Sequence, residues 1–310
     1  MVAERSSGMR VTAADGGIVV VGAGLMGTGI AHAFAAAGHA VTLVDASSEA
    51  LAAATAAIRK ILADGVSRSK ISETDASAAL RRIATESDLA GVLQGRDPSL
   101  LLETATESMT VKLDIVRTAD RWLPDEAVIA TNTSALSVTE IAAATNRADR
   151  VVGMHFFNPV HKMKLMEIVR GVATSDVTVA RTRAWGDSIG KTSILVNEAP
   201  GLTTSRMSAL MGNEAMYMLM EGTATAEDID TAMRLGFNHP MGPLELGDLT
   251  GWDTRLAVLH YLHETLGEKF RPCPLILKLV KAGRLGRKTG WGVYQYVDGQ
   301  RIPGSGLRAR

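Results

Sequence analysis

One cysteine in 310 residues, Cys273 between Pro272 and Pro274, leaves no intramolecular disulfide framework and makes a reducing cytoplasm the natural location. That thiol reads most simply as a packed or surface group without a role. Charge of either sign is not in excess: 33 Lys plus Arg balance 33 Asp plus Glu, so no global field draws the chain to nucleic acid or to an anionic membrane. An anionic ligand must therefore meet a local site. No apolar run long enough for a secretory signal occurs in residues 1–15, which read as a loose leader. The stretch from Gly16 to Val44 lacks Lys, Arg, Asp and Glu and could pass for a membrane helix, but its glycines and two histidines argue otherwise. A metal set is also missing. The histidines are scattered, the His-Glu-x-x-His spacing is absent, and His260 with His263 at i, i+3 reads as a structural or surface pair. There is no internal repeat and no low-complexity tract.

What is present is a rhythm. Short β-branched or apolar runs at Ile18–Val21, Val41–Val44, Leu100–Leu102, Val128–Ala130 and Val151–Phe157 alternate with longer helical patterns, which predicts a parallel sheet covered by helices. Runs at Leu165–Val169 and Ser193–Val196, separated by an amphipathic helix near Val177–Ile189, extend it. From Pro200 the pattern turns helical throughout, with Thr225 and Asp228 in capping-box spacing ahead of Ile229–Leu235, then Arg255–Leu266 and Leu275–Ala282. The length suits two modest domains. The expected division is a dinucleotide-binding α/β domain over 16–198 and an all-α domain over 199–297, followed by a tail, 298–310. Residues 301–310, with Pro, two Gly and three Arg but no apolar periodicity, read as disordered.

The first strand runs directly into Gly22, Ala23, Gly24, Leu25, Met26 and Gly27, a G-x-G-x-x-G between a strand and a helix. Gly22 permits the tight turn, Gly24 lets backbone approach a pyrophosphate, and Gly27 lets the helix pack on the sheet, with the helix N-terminus facing the phosphates. The second strand ends on Asp45, at the spacing of a ribose-binding carboxylate. Its bland alternative is an N-cap for the helix beginning near Ser47. Because a carboxylate repels a ribose phosphate and no Arg follows immediately, the expected cofactor is NAD rather than NADP.

Hydride transfer from an alcohol needs a base, a group that fixes that base in one tautomer, and donors for the nascent carbonyl oxygen. His155 lies near the C-terminal end of the run Val151–Phe157, where open parallel sheets place ligands, and Glu167 follows twelve residues later on a neighbouring run. Pairing the two would leave one ring nitrogen to accept and return a proton. A histidine in a strand is also commonly a hydrogen-bonded core residue, and pattern alone leaves both readings open.

Five ordered segments bear on that choice: Val21-Gly-Ala-Gly-Leu-Met-Gly-Thr-Gly-Ile30, Thr131-Asn-Thr-Ser134, Gly153-Met-His-Phe-Phe-Asn-Pro159, Lys162-Met-Lys-Leu-Met-Glu167 and His239-Pro-Met-Gly-Pro243. Together they resemble the 3-hydroxyacyl-CoA dehydrogenase family, from about Gly16 to Tyr296. The closing segment Gly283-Arg-Leu-Gly-Arg-Lys-Thr-Gly290 is most like its single-function bacterial members, the 3-hydroxybutyryl-CoA dehydrogenases. The resemblance implies a Rossmann-type domain followed by a helical domain, an acyl-CoA thioester substrate held between them, and a homodimer formed through the helical half. It implies His155 as base, Glu167 as its orienting partner, Ser134 near the reacting oxygen, and Asn158 in the same pocket. Glu107 and Lys112 resemble the segment beside the nicotinamide ribose, although i, i+5 spacing gives no tight contact on a helix and a solvated pair stays open.

One position departs from the pattern. Where mitochondrial members carry Asn, the segment Pro200-Gly-Leu-Thr-Thr-Ser-Arg206 has Ser205, a shorter group that cannot bridge two partners as an amide does. For the CoA phosphates the available cations are Arg59, Lys60, Arg68 and Lys70, which otherwise read as a solvated face. Two further functional readings are a dehydrogenase of a small free hydroxy acid or sugar acid on the same fold, and a protein that binds NAD without turnover.

Overall fold

The computed structural model describes residues 16–308, so the leader at 1–15 lies outside the described residues. They divide into two compact units between Glu198 and Ala199. The first unit runs β1 (Ile18–Val21), α1 (Leu25–Ala36), β2 (Val41–Val44), α2 (Ser48–Ser67), α3 (Glu73–Arg81), β3 (Ile83–Glu86), α4 (Leu89–Gln94), β4 (Leu100–Glu103) and α5 (Met109–Trp122). It continues with β5 (Val128–Thr131), α6 (Val138–Ala143), β6 (Val151–Phe156), β7 (Leu165–Arg170), α7 (Asp176–Ser188) and β8 (Thr192–Asn197).

These strands form one sheet in the order β3-β2-β1-β4-β5-β6-β7-β8. The order reverses between β1 and β4, the point at which doubly wound sheets leave a crevice at their carboxyl ends. All pairings are parallel except β6 with β7, which are antiparallel. The expectation of a wholly parallel sheet therefore fails at one place, where residues 157–164 turn the chain back in place of a crossover helix. Strand β3 is not visible in the sequence, because Ile-Ala-Thr-Glu at the sheet edge is only partly covered and shows neither a buried run nor alternation.

The central strands β1, β2, β4 and β5 are buried at every position, the mark of a sheet covered on both faces. Helix α1 seals one face with Ile30 and Phe34, both 0% exposed. Burial of such side chains contributes roughly 1.5–3 kcal/mol each. Ser47 caps α2 by accepting the Ala50 N–H, and Leu51, Ala54, Ile58 and Leu62 form its inward stripe.

The second unit holds α8 (Thr204–Glu221), α9 (Ala226–Gly236), α10 (Pro243–Thr250), α11 (Trp252–Leu266) and α12 (Pro274–Lys281). The expected Thr225 cap is present: its hydroxyl accepts the Asp228 N–H and donates to the Asp228 carboxylate. The unit is not helical throughout. A short antiparallel hairpin, β9 (Tyr296–Val297) with β10 (Gln300–Arg301), follows the helices. Nor are residues 301–308 a free tail: Gly306 N–H reaches Glu227, Leu307 N–H reaches the Val293 carbonyl, and Ser305 receives the Gln295 N–H. Backbone hydrogen bonding holds this segment where its composition offers no apolar pattern. Among the described residues no helix is long and apolar enough to cross a membrane.

Candidate active site

The glycine turn between β1 and α1 is built for close approach. Gly22 has φ +105°, and a Cβ there would lie 2.8 Å from the Thr104 carbonyl. A Cβ on Gly27 would fall 1.8 Å from the Gly22 carbonyl oxygen, so any side chain would push α1 off the sheet. Gly24 is different, since a Cβ there would meet nothing within 4 Å. Its bareness is not required by internal packing, and it stands as the N-cap residue of α1 with no side-chain cap on the helix. Uncapped N–H groups at a helix start, beside open space, fit a pyrophosphate. Leu25, 71% exposed, and Met26 form the first turn beside it.

Asp45 closes the other side of this turn. Its Oδ2 accepts the Ala23 N–H at 2.7 Å and its Oδ1 accepts the Ser47 N–H at 2.9 Å. The cap of α2 is Ser47, so the reading of Asp45 as that cap does not hold. Its carboxylate bridges the end of β2 and the glycine turn, where a dinucleotide ribose is met in this fold.

The antiparallel reversal has a direct chemical result, because it sets His155 on β6 opposite Glu167 on β7. The two face each other in register. Nδ1 of His155 is 2.7 Å from Oε2 of Glu167; the histidine is 7% exposed and the glutamate 0%. An ionised carboxylate only accepts, so Nδ1 carries the proton and Nε2 is left as the basic nitrogen. The Phe157 ring lies 4.7 Å from the imidazole, centroid to centroid, and Asn132 Oδ1 receives the Phe156 N–H at 2.9 Å, tying β6 to the end of β5.

A second polar group lies at the ends of β4 and β5. Sequence reasoning passed over its centre, Glu103, which closes the otherwise apolar strand Leu-Leu-Leu-Glu. Its carboxylate takes the Lys112 ammonium at 2.9 and 2.8 Å, the Ala105 N–H at 2.6 Å and the Thr131 hydroxyl at 2.7 Å. A lone acid terminating a buried parallel strand was the available signal, the same one that marks Asp45. Lys112, 1% exposed, also lies 3.3 Å from Glu107. The solvated-pair reading of Glu107 and Lys112 is thus overturned. Glu107 precedes α5, which begins at Met109, so helical i, i+5 spacing does not govern the contact.

Glu107 in turn holds the loop after β5. Its Oε1 receives the Thr133 hydroxyl at 2.6 Å and the N–H groups of Ser134 and Ala135 at 2.9 and 3.2 Å. The Ser134 hydroxyl is 3.4 Å away. Burial alone would raise the Glu107 carboxyl, but hydrogen bonds from Thr133 and Ser134 and the charge of Lys112 hold it below its usual range.

Asn158 is exposed just beyond β6. Ser205 belongs to the second unit, half-buried in the first turn of α8. Arg59, Lys60, Arg68 and Lys70 are exposed on α2 and the turn that follows, and none pairs with an acid among the described residues.

Comparison with known proteins places this geometry in a lineage. Residues 17–199 match the 3-hydroxyacyl-CoA dehydrogenase NAD binding domain, and residues 201–296 match the C-terminal domain of the same family. A probable 3-hydroxybutyryl-CoA dehydrogenase of Bacillus subtilis is 45% identical over 282 residues, covering 91% of this chain and 97% of that one. A 3-hydroxybutyryl-CoA dehydrogenase of Bradyrhizobium diazoefficiens is 43% identical over 285 residues, 92% and 96% of the two chains. Among solved structures, (S)-3-hydroxybutyryl-CoA dehydrogenase of Ralstonia eutropha superposes with a TM-score of 0.86 at 43% identity, covering 91% of this chain and 99% of that one. With both family domains matched in order along a Rossmann-type sheet and a following helical unit, the chain belongs to the NAD-dependent 3-hydroxyacyl-CoA dehydrogenase family.

Proposed function

We propose that the protein oxidises a short-chain (S)-3-hydroxyacyl-CoA, such as 3-hydroxybutyryl-CoA, to the 3-ketoacyl thioester and runs the reverse reaction, with His155 as general base and acid. The observation that carries this reading is the buried His155–Glu167 pair at the carboxyl end of β6. NAD, when bound, accepts the hydride from C3 of the hydroxyacyl group. His155 Nε2 takes the hydroxyl proton as C3 loses its hydride, while Glu167 keeps Nδ1 protonated and stabilises the imidazolium that results. In reduction the imidazolium returns that proton.

Ser134 donates a hydrogen bond to the substrate oxygen. Its 3.4 Å separation from Glu107 is long enough for the hydroxyl to turn outward, while its N–H stays fixed to the same carboxylate. Asn158, at the mouth of the same strand, helps shape that pocket. Asp45 selects the unphosphorylated ribose. Arg59, Lys60, Arg68 and Lys70 meet the CoA phosphates, supported by their exposure and by the absence of acidic partners among the described residues.

The working unit is a dinucleotide-binding domain over 16–198 and a helical domain over 199–297 that forms a homodimer in the cytoplasm. Exposed Met207 (56%) and Leu210 (37%) on α8 support a covering partner there. The decisive test is His155→Ala in NADH-dependent reduction of acetoacetyl-CoA. Turnover should fall by roughly a hundred- to ten-thousand-fold, the usual worth of a general acid or base. A variant that keeps normal turnover overturns the assignment.

A further inference from the structure

The ion pair at the end of β4 is deeply buried, and its acid, Glu103, has no assigned use. Glu103 is 0% exposed and Lys112 1%, and the bond between them is bidentate. Such a buried pair is weak evidence for stability, because desolvating both charges offsets most of their attraction. The arrangement also contains one acid too many for neutrality. Lys112 faces Glu103 and Glu107 together, so two carboxylates and one ammonium leave a single net negative charge.

Its place in the sheet gives that charge a meaning. Glu103 pairs in register with Thr131 on β5, Thr131 pairs with Gly153 on β6, and His155 lies two residues further along that strand. The sheet order reverses between β1 and β4, and Asp45 on β2 marks the side of the crevice that takes one ribose. A dinucleotide laid across such a crevice puts its other half over the ends of β4 and β5. That half carries the nicotinamide ring, which is cationic when oxidised and neutral when reduced. A fixed negative charge beneath it distinguishes the two states, whereas a neutral site does not.

We propose that Glu103 is a specificity residue for the oxidation state of the cofactor: acting through Lys112 and Glu107, it makes the site favour NAD+ over NADH. It does not touch the dinucleotide. By cancelling the Lys112 charge it leaves that of Glu107 unopposed, and by holding the ammonium from below it keeps Glu107 on the loop that carries Ser134. The inference rests on NAD binding with its nicotinamide at the ends of β4 and β5.

The experiment is a pair of dissociation constants, for NAD+ by calorimetry and for NADH by its fluorescence, in the full chain without acyl substrate. Glu103→Gln keeps the shape and removes the charge, and should shift the affinity ratio toward NADH by roughly three- to tenfold, as expected for one charge at several ångströms to a nanometre in a partly screened site. Glu103→Gln combined with Lys112→Gln restores the net charge and should return the ratio to within about twofold of wild type. Thr131→Val, which deletes a hydrogen bond but no charge, should leave the ratio unchanged even where both affinities fall. Equal weakening of both forms in Glu103→Gln would reduce its role to packing and overturn the proposal. If that variant does not fold, the double variant, which leaves no lone buried charge, carries the test: a ratio displaced beyond threefold there refutes it. Failure of the wild type to bind either form would instead refute the cofactor site itself.

Discussion

Glu167→Gln tests the catalytic pair with the least disturbance of shape. The carboxylate lies 2.7 Å from Nδ1 and is 0% exposed, on a strand held in register against the one that carries His155. The substitution therefore removes a charge and an obligate acceptor and hardly changes volume. In wild type the imidazolium formed during alcohol oxidation faces a full negative charge with charge centres ~4 Å apart. At the effective dielectric of about 20 that suits protein sites, this interaction amounts to ~4 kcal/mol. An amide retains a fraction of that as a dipole, and it can also present its N–H2 to the ring, which forces Nδ1 to act as acceptor and leaves Nε2 protonated. The expected loss in kcat for NAD-dependent oxidation of 3-hydroxybutyryl-CoA is on the order of a hundred- to a thousandfold. KM for NAD should be little altered, because the pair does not lie at the glycine turn. Steady-state kinetics, with circular dichroism to establish folding, makes the measurement. A folded Glu167→Gln enzyme within tenfold of wild-type kcat would refute the orienting role.

Asp45→Ala should erode the preference for NAD over NADP by about tenfold or more in the ratio of catalytic efficiencies, and an unchanged ratio would remove Asp45 from the ribose site. Neutralising Arg68 and Lys70 together should raise KM for the CoA substrate about two- to tenfold at low salt, with the difference shrinking as ionic strength rises; a salt-independent KM would count against phosphate contacts there. Stability should also fall on mild acidification because of His32 on α1: burial, then the charges of His161 and Lys191, push it from 6.5 down to about 4. As pH falls from 6.5 toward 4 the unfolded chain takes up this proton while the folded one does not, so stability decreases across that window and the His32 contribution is flat above it. The loss between about pH 7 and about pH 5 is ~2 kcal/mol. Urea unfolding of His32→Gln at both pH values should lack that increment, and an identical slope would show that His32 is not its source.

The parts of this molecule that were legible in its sequence are those with local signatures. The G-x-G-x-x-G turn needs only six adjacent residues, and Asp45 is announced by an acid ending an apolar strand. The His155–Glu167 contact was reachable because both lie on recognisable strands, but the sequence did not disclose that β6 and β7 run antiparallel, which is what sets them opposite. Strand β3 escaped because an edge strand with two polar residues has no periodicity to detect. Glu103 escaped for a different reason: its partners Lys112 and Thr131 come from α5 and β5, and only the folded sheet brings them together. The contact between Glu107 and Lys112 was hidden by a helix boundary, since α5 starts at Met109, leaving Glu107 in the loop before it and Lys112 inside it. Residues 301–308 are ordered by hydrogen bonds to the backbone of Val293 and Gln295 and to the Glu227 carboxylate, a source of order that leaves no apolar pattern.

The most direct test of the account is the rate of NADH consumption by the wild-type enzyme with acetoacetyl-CoA, set beside free acetoacetate and a panel of sugar acids at matched concentrations. The account predicts rapid turnover of the thioester and at most a trace with the free acids. Turnover of the free acids without the thioester, or of none of them, would contradict it.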